Sequence, residues 1–213
     1  MVSGLTVSER RLALVIAGLV AVCGLAMAIV GRNDLIGAHG FIVLAFSLGV
    51  IALVATRYLD PEPPEDRLSQ YYDDPTKAGI VLAMIWAVIG MFFGVWVAAL
   101  LAWPDLTFDA AWASFGRLRP VHTSGVIFGF GGNALIATSL HVLQRTSRAR
   151  LPDQFSPWFV LIGYNLFCVL AASGYFMGVT QSKEYAEPEW YADLWLVIVW
   201  VVYFLIYIRT LQR

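Results

Sequence analysis

AGIVLAMIWAVIGMFFGVWVAALLAW, residues 78–103, runs for 26 positions without a charged side chain or a proline. A membrane's hydrocarbon core takes about 20 apolar helical residues to cross, so this run reads as a membrane span. The rest of the chain is of the same kind. Of 213 residues, 59% are hydrophobic and 14% charged, against about 25% charged in soluble domains. That composition excludes a soluble globular enzyme and a disordered chain. Fourteen Lys and Arg stand against fifteen Asp and Glu, which leaves no basic surplus to neutralise phosphates, so nucleic acid is not expected as a partner. The expected class is an all-α polytopic membrane helix bundle, with the lipid bilayer as its surroundings.

Working outward, five further runs approach the spanning length, giving six predicted transmembrane helices over 12–31, 35–57, 78–103, 118–144, 157–180 and 193–209. The first run follows Arg10 and Arg11 and contains Ala26-Met27-Ala28, which also suits a signal peptide. Its length favours a retained anchor. The stretch between the second and third spans carries PEPPED and YYDD, too charged and proline-rich for lipid. It divides the chain into an N-terminal hairpin (1–58), a linker (59–77) and a four-helix remainder (78–213). Asp74 followed by Pro75 is a helix-start signal. Ten of the fourteen basic residues fall on the side holding both termini, and only Arg32, Arg117, Arg119 and Lys183 fall on the other. The positive-inside rule then predicts cytoplasmic termini and a cytoplasmic linker.

Within such spans each ionisable group is a functional candidate. The histidines are His39, His122 and His141. His122 and His141 are 19 residues apart, about 28 Å along one helix, so they cannot share a metal. Cys23 and Cys168 both lie in apolar runs, and no CxxC, HExxH, GxSxG or GxxxxGK[ST] occurs, which removes thiolate metal sites and the common hydrolytic and nucleotide-binding motifs. The cysteines read as packing residues.

His122 is followed by Gly125, Gly129 and Gly132 at +3, +7 and +10, the spacing that keeps residues on one face of an α-helix. A flat macrocycle could lie on that bare strip while the imidazole reaches its iron. The same strip also suits close helix packing, as Gly90 and Gly94 do in the third span, with His122 a hydrogen-bonded histidine. Arg117 and Arg119 lie just outside His122, where guanidinium groups would bind carboxylates such as haem propionates or snorkel to headgroups. The last loop carries Glu184, Glu187, Glu189 and Asp193. Asp193 reads as a helix N-cap, and the carboxylates suit either solvent or a hard cation such as calcium.

Residues 115–139, FGRLRPVHTSGVIFGFGGNALIATS, closely resemble the second core helix of subunit I of cbb3-type cytochrome c oxidases, in the haem-copper oxidase superfamily. TFDAAWASFGRLRP before it, HVLQRTSRARLP after it and SKEYAEPEWYADLW in the last loop agree, and the pairing of RLRPVH with KEYAE is specific. The resemblance covers roughly 78–213. It implies that the last four spans are the first four core helices, with the hairpin an N-terminal extension. It implies that His122 is an axial ligand of low-spin haem b, that Arg117 and Arg119 neighbour its propionates, that the glycine strip faces the haem, and that Glu184 takes part in a calcium site.

The activity so implied is a bacterial inner-membrane respiratory oxidase that passes electrons from cytochrome c to dioxygen with proton translocation. Other oxidase subunits, including membrane-anchored c-type cytochromes, would be its partners. High-spin haem b and copper are expected in a missing C-terminal part of subunit I, together with the second low-spin ligand. The chain alone is expected to lack the dioxygen-reducing site and to be a fragment or the product of a split gene. A nitric oxide reductase large-subunit fragment and a non-catalytic membrane assembly or anchoring protein are the alternative readings.

Overall fold

The computed structural model describes residues 5–31, 33–57, 71–181, 183 and 185–213. Among them the regular structure is entirely helical: α1 (Val7–Val30), α2 (Asp34–Ala55), α3 (Asp74–Ala102), two 3₁₀ turns (Pro104–Thr107 and Ala111–Ala113), α4 (Phe115–Ser124), a π-helix (Gly125–Gly132), α5 (Asn133–Ser147), α6 (Phe155–Met177) and α7 (Trp190–Leu211). With α4, the π-helix and α5 running on as Phe115–Ser147, six helices are long and apolar enough to cross a membrane. The six expected spans are all present.

Their ends differ from expectation because polar residues extend them. Thr6 opens α1 through a capping box: Glu9 N–H donates to the Thr6 hydroxyl, and Thr6 N–H donates to the Glu9 carboxylate at 2.8 Å. This places Ser8 to Arg11 in the helix, ahead of the apolar run. Asp193 does not cap the last helix. The Glu189 carbonyl accepts from Ala192 N–H at 2.8 Å and Asp193 N–H at 3.2 Å, so α7 starts one turn earlier. Most of the expected linker, and Arg32, lie outside the described residues.

The chain forms two compact units. One takes Met1–Pro75, Leu140–Ile162 and Val199–Arg213. Here α1 and α2 pack through bare backbone: a Cβ on Gly24 would lie 2.7 Å from Leu44 N, and one on Gly40 2.8 Å from Ala28 Cα. Small residues permit such approach where apolar burial supplies little drive. Glu9 ties this hairpin to the start of α6 by accepting from Gln154 N–H at 2.7 Å. Buried Tyr72 is held on every polar side: its N–H donates to Gln144 Oε1 (2.8 Å), its carbonyl accepts from Gln144 Nε2 (3.1 Å), and its hydroxyl accepts from Trp158 Nε1 (2.7 Å).

The other unit takes Thr76–Ser139 and Gly163–Ile198. Its core joins Val121, Ala171 and Tyr175, with Phe93 and Phe176 packed against them. It also buries two amides, Asn133 and Asn165, which bond reciprocally, Asn165 Nδ2 to Asn133 Oδ1 at 2.8 Å and Asn133 Nδ2 to Asn165 Oδ1 at 3.3 Å. Unpaired amides there would each cost several kcal/mol, roughly the water-to-hydrocarbon transfer penalty.

Candidate functional site

His122 sits in the last turn of α4, half-buried, against α3 of the same unit. Its Nδ1 lies 2.8 Å from the Gly90 carbonyl oxygen. A carbonyl only accepts, so Nδ1 carries a proton, and Nε2 is the ring nitrogen left to offer a lone pair to a metal. The approach depends on a missing side chain. A Cβ on Gly94 would come within 2.6 Å of Cε1 and 2.7 Å of Nδ1 of this ring. Gly90 and Gly94 thus make a bare patch one turn long that holds one imidazole in one tautomer. A neutral imidazole with its second nitrogen fixed by a backbone carbonyl is the donor that metal-ligating histidines present, so this residue fits a haem iron.

Arg117 is half-buried and Arg119 exposed. Arg117 Nη1 donates to the Phe176 carbonyl at 3.0 Å, near the end of α6. Its guanidinium packs on Gly178, whose φ of +80° and lack of a Cβ leave the space, since a Cβ there would meet Cζ at 2.6 Å. Arg117, on the same helix as His122, is therefore held against the end of α6.

The three glycines following His122 do not share one face. Gly125 lies against Gly90 and Gly129 against the Trp86 indole, both on α3, whereas Gly132 lies against the Tyr164 hydroxyl on α6. The reason is the π-helix over Gly125–Gly132: its i→i+5 pairing widens the turn, so a spacing chosen for 3.6 residues drifts around the axis.

The other sequence candidates are placed elsewhere. His39 and His141 belong to the first unit. His39 is buried on α2. His141 is about half exposed, with Nδ1 3.8 Å from Asp73 Oδ1, and Asp73 also takes both Arg145 Nη1 and Nη2 at 2.6 Å. Glu184 lies outside the described residues. In the same loop Glu187 keeps a buried Oε2 with no hydrogen-bond partner among the described residues, and Asp193 accepts from Gln181 Nε2 at 3.2 Å. Among the described residues no group of three or more His, Cys, Asp or Glu is placed to hold a metal ion. Sequence reasoning took Gly90 and Gly94 only as packing residues and passed over Trp86, Asn133, Tyr164 and Asn165. A polar amide inside an apolar span was the available signal for the last of these and for Asn133.

Comparison with known proteins matches residues 74–213 to the family described as Cytochrome C and Quinol oxidase polypeptide I. A cytochrome c oxidase subunit 1 homolog of Azorhizobium caulinodans is 51% identical over 180 residues, covering 82% of this chain and 33% of the relative. The bacteroid cytochrome c oxidase subunit 1 homolog of Bradyrhizobium diazoefficiens is 46% identical over 214 residues, covering 98% of this chain and 39% of the relative. The Cbb3-type cytochrome c oxidase subunit CcoN1 of Stutzerimonas stutzeri is 47% identical over 133 residues, covering 62% of this chain and 28% of the relative. The chain thus spans between 28% and 39% of the length of these relatives.

Proposed function

The chain belongs to the cytochrome c and quinol oxidase polypeptide I family, and on that premise we propose that it is part of the catalytic subunit of a cbb3-type respiratory oxidase, one that passes electrons from cytochrome c to dioxygen with proton translocation. In this reading His122 gives Nε2 to the iron of low-spin haem b. The observation that carries it is the 2.8 Å contact of His122 Nδ1 with the Gly90 carbonyl, which leaves Nε2 as the only ring nitrogen able to ligate. The haem, when bound there, would supply one-electron transfer chemistry.

Around it the protein's own groups have distinct tasks. The Gly90 carbonyl fixes the orientation of the imidazole and would raise the basicity of Nε2 as a ligand. Arg117, anchored by the Phe176 carbonyl, and Arg119 balance the propionate charges as guanidinium groups do for carboxylates. Glu184 and the Glu187 oxygen that has no hydrogen-bond partner among the described residues would supply hard oxygen donors for calcium. A second ligand to that haem, high-spin haem b and copper would belong to the rest of subunit I, and membrane-anchored c-type cytochromes would be its partners. The protein lies in the bacterial inner membrane with both termini cytoplasmic, a reading supported by the ten basic residues on that side.

The test is a pair of substitutions in the assembled complex. His122→Ala removes the low-spin haem band from the reduced-minus-oxidised spectrum, and His141→Ala leaves it. The opposite pattern refutes the assignment.

A further inference from the structure

An eight-residue π-helix is rare, because i→i+5 pairing is less favourable than the α pattern, and it persists where its surroundings hold it. In this chain it begins three residues after His122, and two side chains bond into it, one from the neighbouring α6 and one from the start of α5, its own continuation. The Tyr164 hydroxyl on α6 donates to the Phe128 carbonyl at 3.0 Å. Asn133 Nδ2 donates to the Gly129 carbonyl at 2.7 Å. Asn133 is itself bonded to Asn165, whose Oδ1 also accepts from Trp86 Nε1 on α3 at 2.8 Å. The glycines are where these groups need room. Gly129 admits the Trp86 indole and Gly132 admits Tyr164.

The same face of α3 sets the imidazole. Trp86, Gly90 and Gly94, each four residues apart, lie against Gly129, Gly125 and His122 in that order. A helix that relaxed to α pairing here would need one residue fewer per turn. Its two halves would rotate against each other by roughly 100°, the angle of one residue in a 3.6-residue turn. With Trp86 and Tyr164 holding the far half, the rotation would fall on the turn bearing His122 and carry the ring away from the Gly90 carbonyl.

We propose that Tyr164, Asn165, Asn133 and Trp86 are positioning residues: by holding the π-helix they set the rotation of the His122 imidazole about its helix, and so the orientation of the ring plane presented to the iron. This rests on the reading of His122 as a haem ligand. It adds that groups bonded into the π-helix and its continuation, beyond the Gly90 carbonyl and the Gly94 patch, govern the orientation of that ring.

The experiment uses the assembled complex. Tyr164→Phe removes one hydroxyl and keeps the ring, and Trp86→Phe removes the indole donor and keeps an aromatic group against Gly129. Each is compared with the parent and with His141→Ala for haem content, for the largest g value of the low-spin signal in electron paramagnetic resonance, and for its midpoint potential. The expected result is parent haem content with a shifted g value and a shifted potential in both variants, and a larger shift in the double variant. Parent g values in both variants overturn the proposal. So does lost haem with an unshifted signal in the remaining fraction, because a purely structural role predicts that pattern. His122→Ala separates the two levels: signal lost there but unshifted in both phenylalanine variants leaves the ligand standing and removes the positioning residues, whereas signal retained there removes the ligand and this proposal with it.

Discussion

Gly94→Ala is the smallest change that tests how closely α3 must approach His122. The added methyl would lie 2.6 Å from Cε1, where ordinary contact begins at 3.4 Å, so the ring must withdraw by about 0.8 Å. Nδ1, which bonds the Gly90 carbonyl at 2.8 Å, would itself lie 2.7 Å from the methyl, so the withdrawal strains that bond. Overpacking a tight contact costs about 1–3 kcal/mol, and losing one hydrogen bond adds roughly 0.5–1.5 kcal/mol. Together these predict a haem affinity lower by a factor between about ten and somewhat over a thousand, at roughly 1.4 kcal/mol per tenfold. The assay is haem content and the low-spin band of the assembled complex. Gly116→Ala is the control: it lies on α4 with His122, a Cβ there meets nothing within 4 Å, and alanine favours the helix by about 1 kcal/mol. Parent haem content and spectrum in Gly94→Ala would refute the close-approach argument, as would an equal loss in Gly116→Ala.

Three further outcomes are expected. Burial pushes the Tyr72 hydroxyl up to about 12, against an ordinary value of 10.0, with the Trp158 bond opposing and Asp74 and Glu9 adding to the rise. The folded state therefore holds that proton more tightly, so its stability is complete below pH 10 and declines as pH climbs to about 12, by roughly 2–3 kcal/mol at most. Alkaline melting curves should lose part of this slope in Tyr72→Phe, and an unchanged slope counts against it. His39→Ala should keep a six-coordinate low-spin haem in the assembled complex, because the resemblance assigns the second ligand elsewhere, and a five-coordinate spectrum would make His39 that ligand. Reporter fusions after Asp109 and after Glu187 should both read periplasmic, and two cytoplasmic readings would reverse the orientation drawn from the basic residues.

The spans were legible because twenty apolar residues in a row have few other uses, and the family resemblance read on RLRPVH and KEYAE is borne out by the match over residues 74–213. The ends were less so, since the capping box of Thr6 and Glu9 lies outside the apolar run, and a hydropathy reading stops where the charges begin. His122 stood out as an ionisable group in a span, but its partner is a backbone carbonyl, and carbonyls carry no residue signature.

The glycine strip shows a different failure. Its spacing was judged with a 3.6-residue period, and the segment is π-helical, so Gly132 turns toward Tyr164 instead of lining up with Gly125. The sequence did hold a marker of that break. Gly129 and Asn133 are four apart, and the amide of the second donates to the carbonyl of the first at 2.7 Å, as a side chain does where a regular helix has given up a backbone bond. A glycine followed four residues later by an asparagine in an otherwise apolar span is thus one feature read twice, once as missing bulk and once as stray polarity. Taken together, the two halves point to the turn where the helical period changes.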